Sequence, residues 1–346
     1  MTIYDYIVAK EIAAYYNTKA AEQSLPPYLG EELFPNKKQL GLDMSFIKGA
    51  KGLAKILKLS AFDAKAVKRD RIGFEKVQTE MPFFKEAMSV DEKTRQELLR
   101  VMQTGNQEYV DIILNKIFDD QTTLLEGASA VRERMRMQLL ATGTIMLENN
   151  GQVYEYDYGV PENHKVTPTK LWSAEGADVI ADITTWQDLM EMAGYGRPTR
   201  AITSRKVLRA LAKVPAIVNA IYVFGQGKIT TVDESVVRNY IADKTGVDIV
   251  VYEKFYKDVN DEVKRMLPED LFIMIPEGTL GNTYFGTTPE EADLMASSVA
   301  NVSIVDTGVA VTTSKLVDPV NVETKVSMVS LPSFEAADQI IIADVM

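Results

Sequence analysis

The sequence predicts an α+β protein. Three observations carry that reading: one amphipathic stretch long enough for a helix of about 35 to 40 residues, a second half in which helical and strand-like runs alternate in no regular βα order, and a charged strand pair with no evident third strand to lie against.

The first helix is expected over Asp5 to Ala21, where Ile7, Val8, Ile12 and Tyr15 share one face. Pro26 and Pro27 end it, because proline fixes φ and removes a backbone donor. The following Tyr28-Leu-Gly-Glu-Glu-Leu-Phe-Pro35 holds large apolar residues with too little pattern to build a core of its own. It reads as an arm that lies against another molecule, with Tyr28, Leu29, Leu33 and Phe34 as its contact residues. On this reading, removal of residues 1–35 should spare the fold and impair assembly.

Ile56, Ile72, Phe74, Val77, Thr79 and Met81 suit strands, and Ala64 to Arg71 forms a polar tip between them. This predicts a long two-stranded hairpin. An isolated hairpin is marginal in water, so a neighbour is expected to hold it, through Lys55, Lys58, Lys65, Lys68, Arg69 and Arg71.

Val110, Ile113, Leu114, Ile117, Phe118, Leu124, Leu125, Val131, Met135 and Leu139 then follow the three-and-four spacing of one helix face. The pattern runs to about Leu147, with Gly127 a place for a kink and Asn149-Asn150-Gly151 the expected stop. Val153 to Tyr158 alternates like a half-exposed strand. A second region starts near Trp172, with helices expected over Ile183–Ala193, Ser204–Ala212 and Val232–Thr245. Strands are expected over Val247–Tyr252, Leu271–Ile275, Val302–Thr312, Val320–Val329 and Gln339–Ile342.

Composition narrows the function. The 346 residues are 46% hydrophobic and 25% charged, as in ordinary folded proteins, and no apolar run approaches the roughly 20 residues of a membrane helix. The N-terminus lacks the basic start and apolar stretch of a signal peptide. The absence of cysteine removes disulfides, thiolate metal sites and cysteine nucleophiles and fits synthesis in the cytoplasm. A net charge of −11 argues against a protein built mainly to grip phosphates. Residues 48–76 nevertheless hold nine Lys/Arg against three acids, a local +6. Such a block can meet nucleic acid or the acidic body of a second copy. Only Phe62 and Phe74 are available there for base stacking, and Asp63, Asp70 and Glu75 are interspersed, which favours the second copy.

Catalytic, cofactor and metal residues are predicted to be none. His164 is the single histidine and sits in a polar, proline-flanked stretch, where a surface position is the ordinary outcome. Without a second histidine or a cysteine, the usual zinc sites and the Ser-His-Asp arrangement are closed off. Gly225-Gln-Gly227 lacks the third glycine and the Gly-Lys-Ser/Thr ending of a phosphate loop and reads as a turn. Asp119/Asp120 and Glu290/Glu291 are adjacent pairs that read as solvated surface.

Several phrases, in order along nearly the whole chain, resemble the major capsid protein family of phage lambda. They are the arm Tyr28–Pro35, then Arg71-Ile-Gly-Phe-Glu75 with Met81-Pro-Phe-Phe-Lys85, Arg132-Glu-Arg134 with Leu139-Leu-Ala-Thr-Gly143, and Gly151 to Gly159. Leu171-Trp-Ser173, Asp182 to Trp186, Leu280-Gly-Asn-Thr-Tyr-Phe-Gly286 with Thr288-Pro-Glu-Glu-Ala-Asp293, Asp318-Pro319 and Leu331-Pro-Ser-Phe334 continue the series. The resemblance implies the Hong Kong 97-type capsid fold. Its parts would be an N-terminal arm at 1–40, an extended loop at 41–84, a peripheral domain with a spine helix at 85–165 plus 313–346, and an axial domain at 166–312. It also implies a non-enzymatic head protein that forms pentamers and hexamers of an icosahedral shell around double-stranded DNA, held without sequence specificity. The expected partners are a separate scaffolding protein (the arm begins close to Met1), a portal protein and a decoration protein; membrane contact is not expected. The protein would be made in the host cytoplasm and end in the virion. The alternatives are nucleic-acid binding through residues 48–76 and a related non-viral shell protein.

Overall fold

Asp91, Asp178 and Ser204 each place a side-chain oxygen on a backbone N–H three residues ahead and so start helices Glu92–Thr104, Val179–Met192 and Arg205–Leu211. Gly105 and Gly246 adopt the left-handed conformation that closes Glu92–Thr104 and Glu234–Thr245. These local rules operate in a computed structural model that describes residues 3–22, 28–49, 74–149, 151–222, 231–295, 300–317 and 320–346.

The chain divides into two compact units. The first comprises 1–45, 78–134 and 282–333, the second 46–77, 135–281 and 334–346.

In the first unit the long strand Val320–Pro332 organises a sheet. Its residues 320–328 pair antiparallel with Val309–Val317, which pairs in turn with Asn301–Val305. Residues 323–329 pair with Phe83–Ser89, and 330–332 pair with Thr283–Phe285. Asn36–Lys38 adds a parallel edge to Thr283–Phe285. The helix Ala9–Glu22 and the first part of the helix Gln107–Thr142 supply Ile12, Val110, Ile113, Leu114 and Leu124 to a core shared with Val309, Val311 and Met328 of the sheet.

The second unit is built on a mixed sheet in the order Lys165–Val166, Ile341–Asp344, Leu271–Ile275, Arg200–Thr203, Asp248–Val251. Leu271–Ile275 runs antiparallel to both its neighbours, and each outer pair is parallel. Trp172 anchors the core against this sheet. Its ring stacks on Trp186 at 5.8 Å, meets Phe272 edge-on at 4.9 Å, and donates through Nε1 to Asp182 at 3.0 Å. That bond satisfies the one polar atom of a nearly fully buried indole.

The helix Gln107–Thr142 has 36 residues and runs through Gly127 without interruption. Its end differs from the sequence expectation: Ile145, Met146 and Leu147 lie on strand Thr144–Asn149, which pairs with Gln152–Asp157. Gly143 is the stop, at φ +80° with the side chain of Val160 only 2.5 Å from where a Cβ would stand. Helix Glu92–Thr104 and strand Phe83–Ser89 were not expected, because their inward faces are short and their charged residues break the pattern. Of the expected long hairpin, the first strand near Ile56 and the tip Ala64–Arg71 lie outside the described residues; its return strand Phe74–Glu80 pairs with Asp43–Gly49, a strand that was not expected.

Candidate assembly surfaces

The arm residues differ from expectation. Leu33 and Phe34 are fully buried in the chain's own core, and Tyr28 and Leu29 are half-buried. The short helix Leu29–Leu33 is tied down by the backbone N–H of Gly30, which donates to the buried carboxylate of Glu133 at 3.1 Å. The Phe34 carbonyl accepts from Thr283 Oγ1 at 2.9 Å, and the Pro35 carbonyl accepts from the Thr283 N–H. Asn36–Lys38 then joins the sheet. The apolar residues of this segment therefore find their partners within the same chain, and Leu33 and Phe34 are not free to meet a neighbour. Ile7 and Ile12 are likewise core residues. Loss of residues 1–35 would open the first unit and not spare it.

The six loop cations, Lys55, Lys58, Lys65, Lys68, Arg69 and Arg71, lie outside the described residues, as does Gly225-Gln-Gly227.

Two residues expected on the surface are buried. His164 is 2% exposed. It ends the one-turn helix Glu162–His164, just before strand Lys165–Val166 pairs with Ile341–Asp344, and its ring meets Tyr195 edge-on at 6.4 Å. Burial lowers its pKa, against the opposing pull of Asp338. Glu290 is also buried, and takes Lys325 Nζ at 2.7 Å and Ser327 Oγ at 2.8 Å. Burial pushes its pKa up, but those two hydrogen bonds and the Lys325 charge outweigh it and hold the carboxyl below the usual range. Its neighbour Glu291 pairs with Lys38 at 2.5 Å. The two adjacent acids thus clip two separate strands to one short helix. Asp119 is exposed as expected and bonds Lys19 at 2.7 Å and Tyr15 at 3.0 Å.

The second unit carries a cleft of about 760 Å³ beside helix Arg205–Leu211. Lys206 reaches Asp270 and Glu269 at 2.5 and 3.2 Å, and Arg265 reaches Glu253 and Glu269 at 2.5 and 3.2 Å. This lattice of partly exposed ion pairs holds shape. Among the described residues, no group of three or more metal-ligating side chains comes together, and no helix is long and apolar enough to cross a membrane.

Large apolar side chains stand exposed instead at strand ends and hairpins. Leu40 is 85% exposed, Val317 86% and Val259 completely.

Residues 9–345 match the family model described as phage major capsid protein E. The chain belongs to that family. It is a structural protein of phage or prophage heads and part of the virion. Solved structures similar to this capsid protein agree. A protein described as a prophage capsid protein from Escherichia coli CFT073 matches with TM-score 0.60 at 15% identity, over 98% of this chain and 99% of the other. A phage-related protein from Bordetella bronchiseptica RB50 matches with TM-score 0.55 at 14% identity, over 98% and 97%. A chain of the capsid asymmetric unit of cyanophage A-1(L) matches with TM-score 0.54 at 13% identity, over 92% of each. At these identities the likeness shows the fold, which is the Hong Kong 97-type capsid fold, of α+β class as the sequence predicts.

Proposed function

We propose that this capsid protein assembles into pentamers and hexamers of a closed icosahedral shell around double-stranded DNA, and that it does so without catalysing a reaction. The observation that carries the proposal is the set of large apolar side chains left exposed on turns and strand ends, with Leu40, Val259 and Val317 the most open. Symmetric closure turns many weak contacts of this kind into a stable particle. On this reading the basic 48–76 segment, with Lys55, Lys58, Lys65, Lys68, Arg69 and Arg71, meets acidic surface on a neighbouring copy and sets orientation more than affinity. The segments 41–84 and 166–312 serve as extended loop and axial domain, and 85–165 with 313–346 as peripheral domain. A net charge of −11 lets the inner face hold DNA with little sticking. A scaffolding protein directs curvature, a portal protein takes one vertex, a decoration protein binds outside, and assembly takes place in the host cytoplasm.

The test is expression of the full chain, alone and together with a candidate scaffolding protein, followed by sedimentation and negative-stain microscopy. Closed shells of uniform diameter are expected. Folded subunits that never form particles under these conditions would count against the proposal.

A further inference from the structure

The hairpin Thr144–Asn149/Gln152–Asp157 sorts its residues by face. The register pairs Thr144 with Asp157, Met146 with Glu155 and Glu148 with Val153, so these six share one side of the ribbon. All three of the hairpin's acids are on that side, with Met146 and Val153 between them. The opposite side carries Ile145, Leu147, Tyr154 and Tyr156 and no charge. Residues 144–157 contain no lysine or arginine. Among the described residues, none of Glu148, Glu155 and Asp157 has an ion-pair partner, and all three are exposed. Met146 and Val153 are 49% and 65% exposed.

The ribbon is held firmly at its base. Gln138 contacts both the N–H and the carbonyl of Met146, at 3.4 Å each. Thr142 Oγ1 accepts from the Thr144 N–H at 3.2 Å, and the Tyr158 N–H donates to the Gly143 carbonyl at 3.1 Å. Ile145 is fully buried, and Tyr158 packs between Phe46 and Phe334. An isolated two-stranded ribbon is marginal in water. Here the base supplies the order, and the outer part stands ready with a face that alternates acid and apolar side chains.

One segment of this chain has the complementary composition. Residues 48–76 carry a net +6 and interleave their Lys/Arg with Leu53, Ile56, Leu57, Leu59, Val67 and Ile72. We infer that the face of Thr144, Met146, Glu148, Val153, Glu155 and Asp157 is the docking surface for the basic 48–76 segment of a second copy of this chain. Three carboxylates without an ion-pair partner, of which Asp157 accepts the Gly159 N–H at 2.8 Å, offer the charge that complements this basic segment, and the apolar residues between them add area that water leaves on docking. The inference rests on the shell-forming reading and names the surface that this reading requires.

A reciprocal charge swap tests it, in the full chain expressed under the conditions in which the unmodified chain forms particles. One variant carries Glu148→Lys, Glu155→Lys and Asp157→Lys. A second carries Lys65→Glu, Lys68→Glu, Arg69→Glu and Arg71→Glu. The third carries all seven changes. Circular dichroism should show all three folded, since the hairpin positions are exposed. Each single-sided variant is expected to lose at least tenfold in particle yield, and the combined variant to recover most of it. Normal yield from the hairpin variant would overturn the inference and leave the shell-forming reading intact. Failure of the combined variant to recover would overturn it as well, since the two charge sets would then act on different partners. Absence of particles from the unmodified chain would instead strike at the shell-forming reading.

Discussion

Arg132 Nη2 lies 2.9 Å from Asp306 Oδ2, joining the middle of the long helix to a turn of the sheet within the first unit. The guanidinium is 1% exposed and also bonds Ser129 at 2.6 Å and faces the Phe285 ring at 5.3 Å. Asp306 sits at φ +51°, a conformation that Asp and Asn tolerate better than most residues. The two partners are not equivalent. Asp306 is about one-third exposed and can return to water, whereas Arg132 cannot.

Loss of the acid should therefore be worse than its exposure suggests. Asp306→Ala leaves a buried cation without its counter-charge and replaces an Asp, which tolerates the left-handed region, by a residue that tolerates it less. A loss of about 3 kcal/mol is expected. Asp306→Asn keeps the backbone preference and an acceptor oxygen, and should cost about half as much. Urea unfolding of the two variants measures the difference. Equal losses would show that the charge carries the whole effect, and an Asp306→Asn variant as stable as the unmodified protein would show that it has no part in it.

Glu290 and Lys325 make a second asymmetric pair, since the carboxylate is nearly fully buried and the ammonium about one-quarter exposed. The folded-state pKa of Glu290 lies below its ordinary value near 4.5. Its contribution to stability is therefore complete above about pH 4.5 and is lost as pH falls through the lower, folded value. Lys325→Met strands the carboxylate, and a loss of about 3 to 5 kcal/mol is expected at neutral pH. The same change lets Glu290 take up a proton at higher pH, so the variant should recover part of its stability on mild acidification while the unmodified protein only loses it. Denaturation midpoints between pH 4 and 7 (roughly the span between carboxylate titration and neutrality) read this out.

These two pairs mark the boundary of what the sequence discloses. The helix Gln107–Thr142 is legible because its core contacts recur every three or four residues and need no knowledge of the partner. Its end is not, since Ile145 and Leu147 continue the apolar pattern; the chain leaves the helix at Gly143, whose φ of +80° is left-handed and whose closeness to Val160 leaves no room for a β-carbon. The burial of Glu290 depends on Lys325 and Ser327 from a strand well separated in sequence. Phe34 suggests a contact with a neighbour because no local pattern buries it; its burial comes with a backbone carbonyl held by Thr283, 249 residues away. The acidic side of the 144–157 hairpin needs the strand register, which a one-residue slip would invert. Family membership was readable because it rests on the order of short phrases and not on any contact.

His164 supplies a pH dependence in a different window. Burial disfavours its charged form, so its folded pKa lies below the unfolded value of about 6.5. Above that value both states are neutral and the residue contributes its full packing. As pH falls below about 6.5 the unfolded chain takes up a proton that the folded chain does not, and stability declines until the lowered folded pKa is reached. Asp338 limits the decline by favouring the charged form. His164→Gln should abolish the slope between about pH 6.5 and 5 while leaving the carboxylate-linked loss below it. Chemical denaturation across that range, for both proteins, decides the point; an unchanged slope would place its origin elsewhere.

Phe34 and Leu40 stand six positions apart in the segment first read as an arm, and they should behave oppositely. Phe34 is enclosed by its own chain, so Phe34→Ala should cost about 3 to 5 kcal/mol in the isolated subunit, through a cavity beside the Thr283 strand. Leu40 is 85% exposed, and Leu40→Ser should change subunit stability by less than about 0.5 kcal/mol. If Leu40 is an association residue, its replacement should instead lower particle yield at unchanged unfolding midpoint. Parallel unfolding and sedimentation of the two variants separate folding from assembly. A stable Phe34→Ala subunit that fails to assemble would reverse the assignment and return Phe34 to the contact between copies.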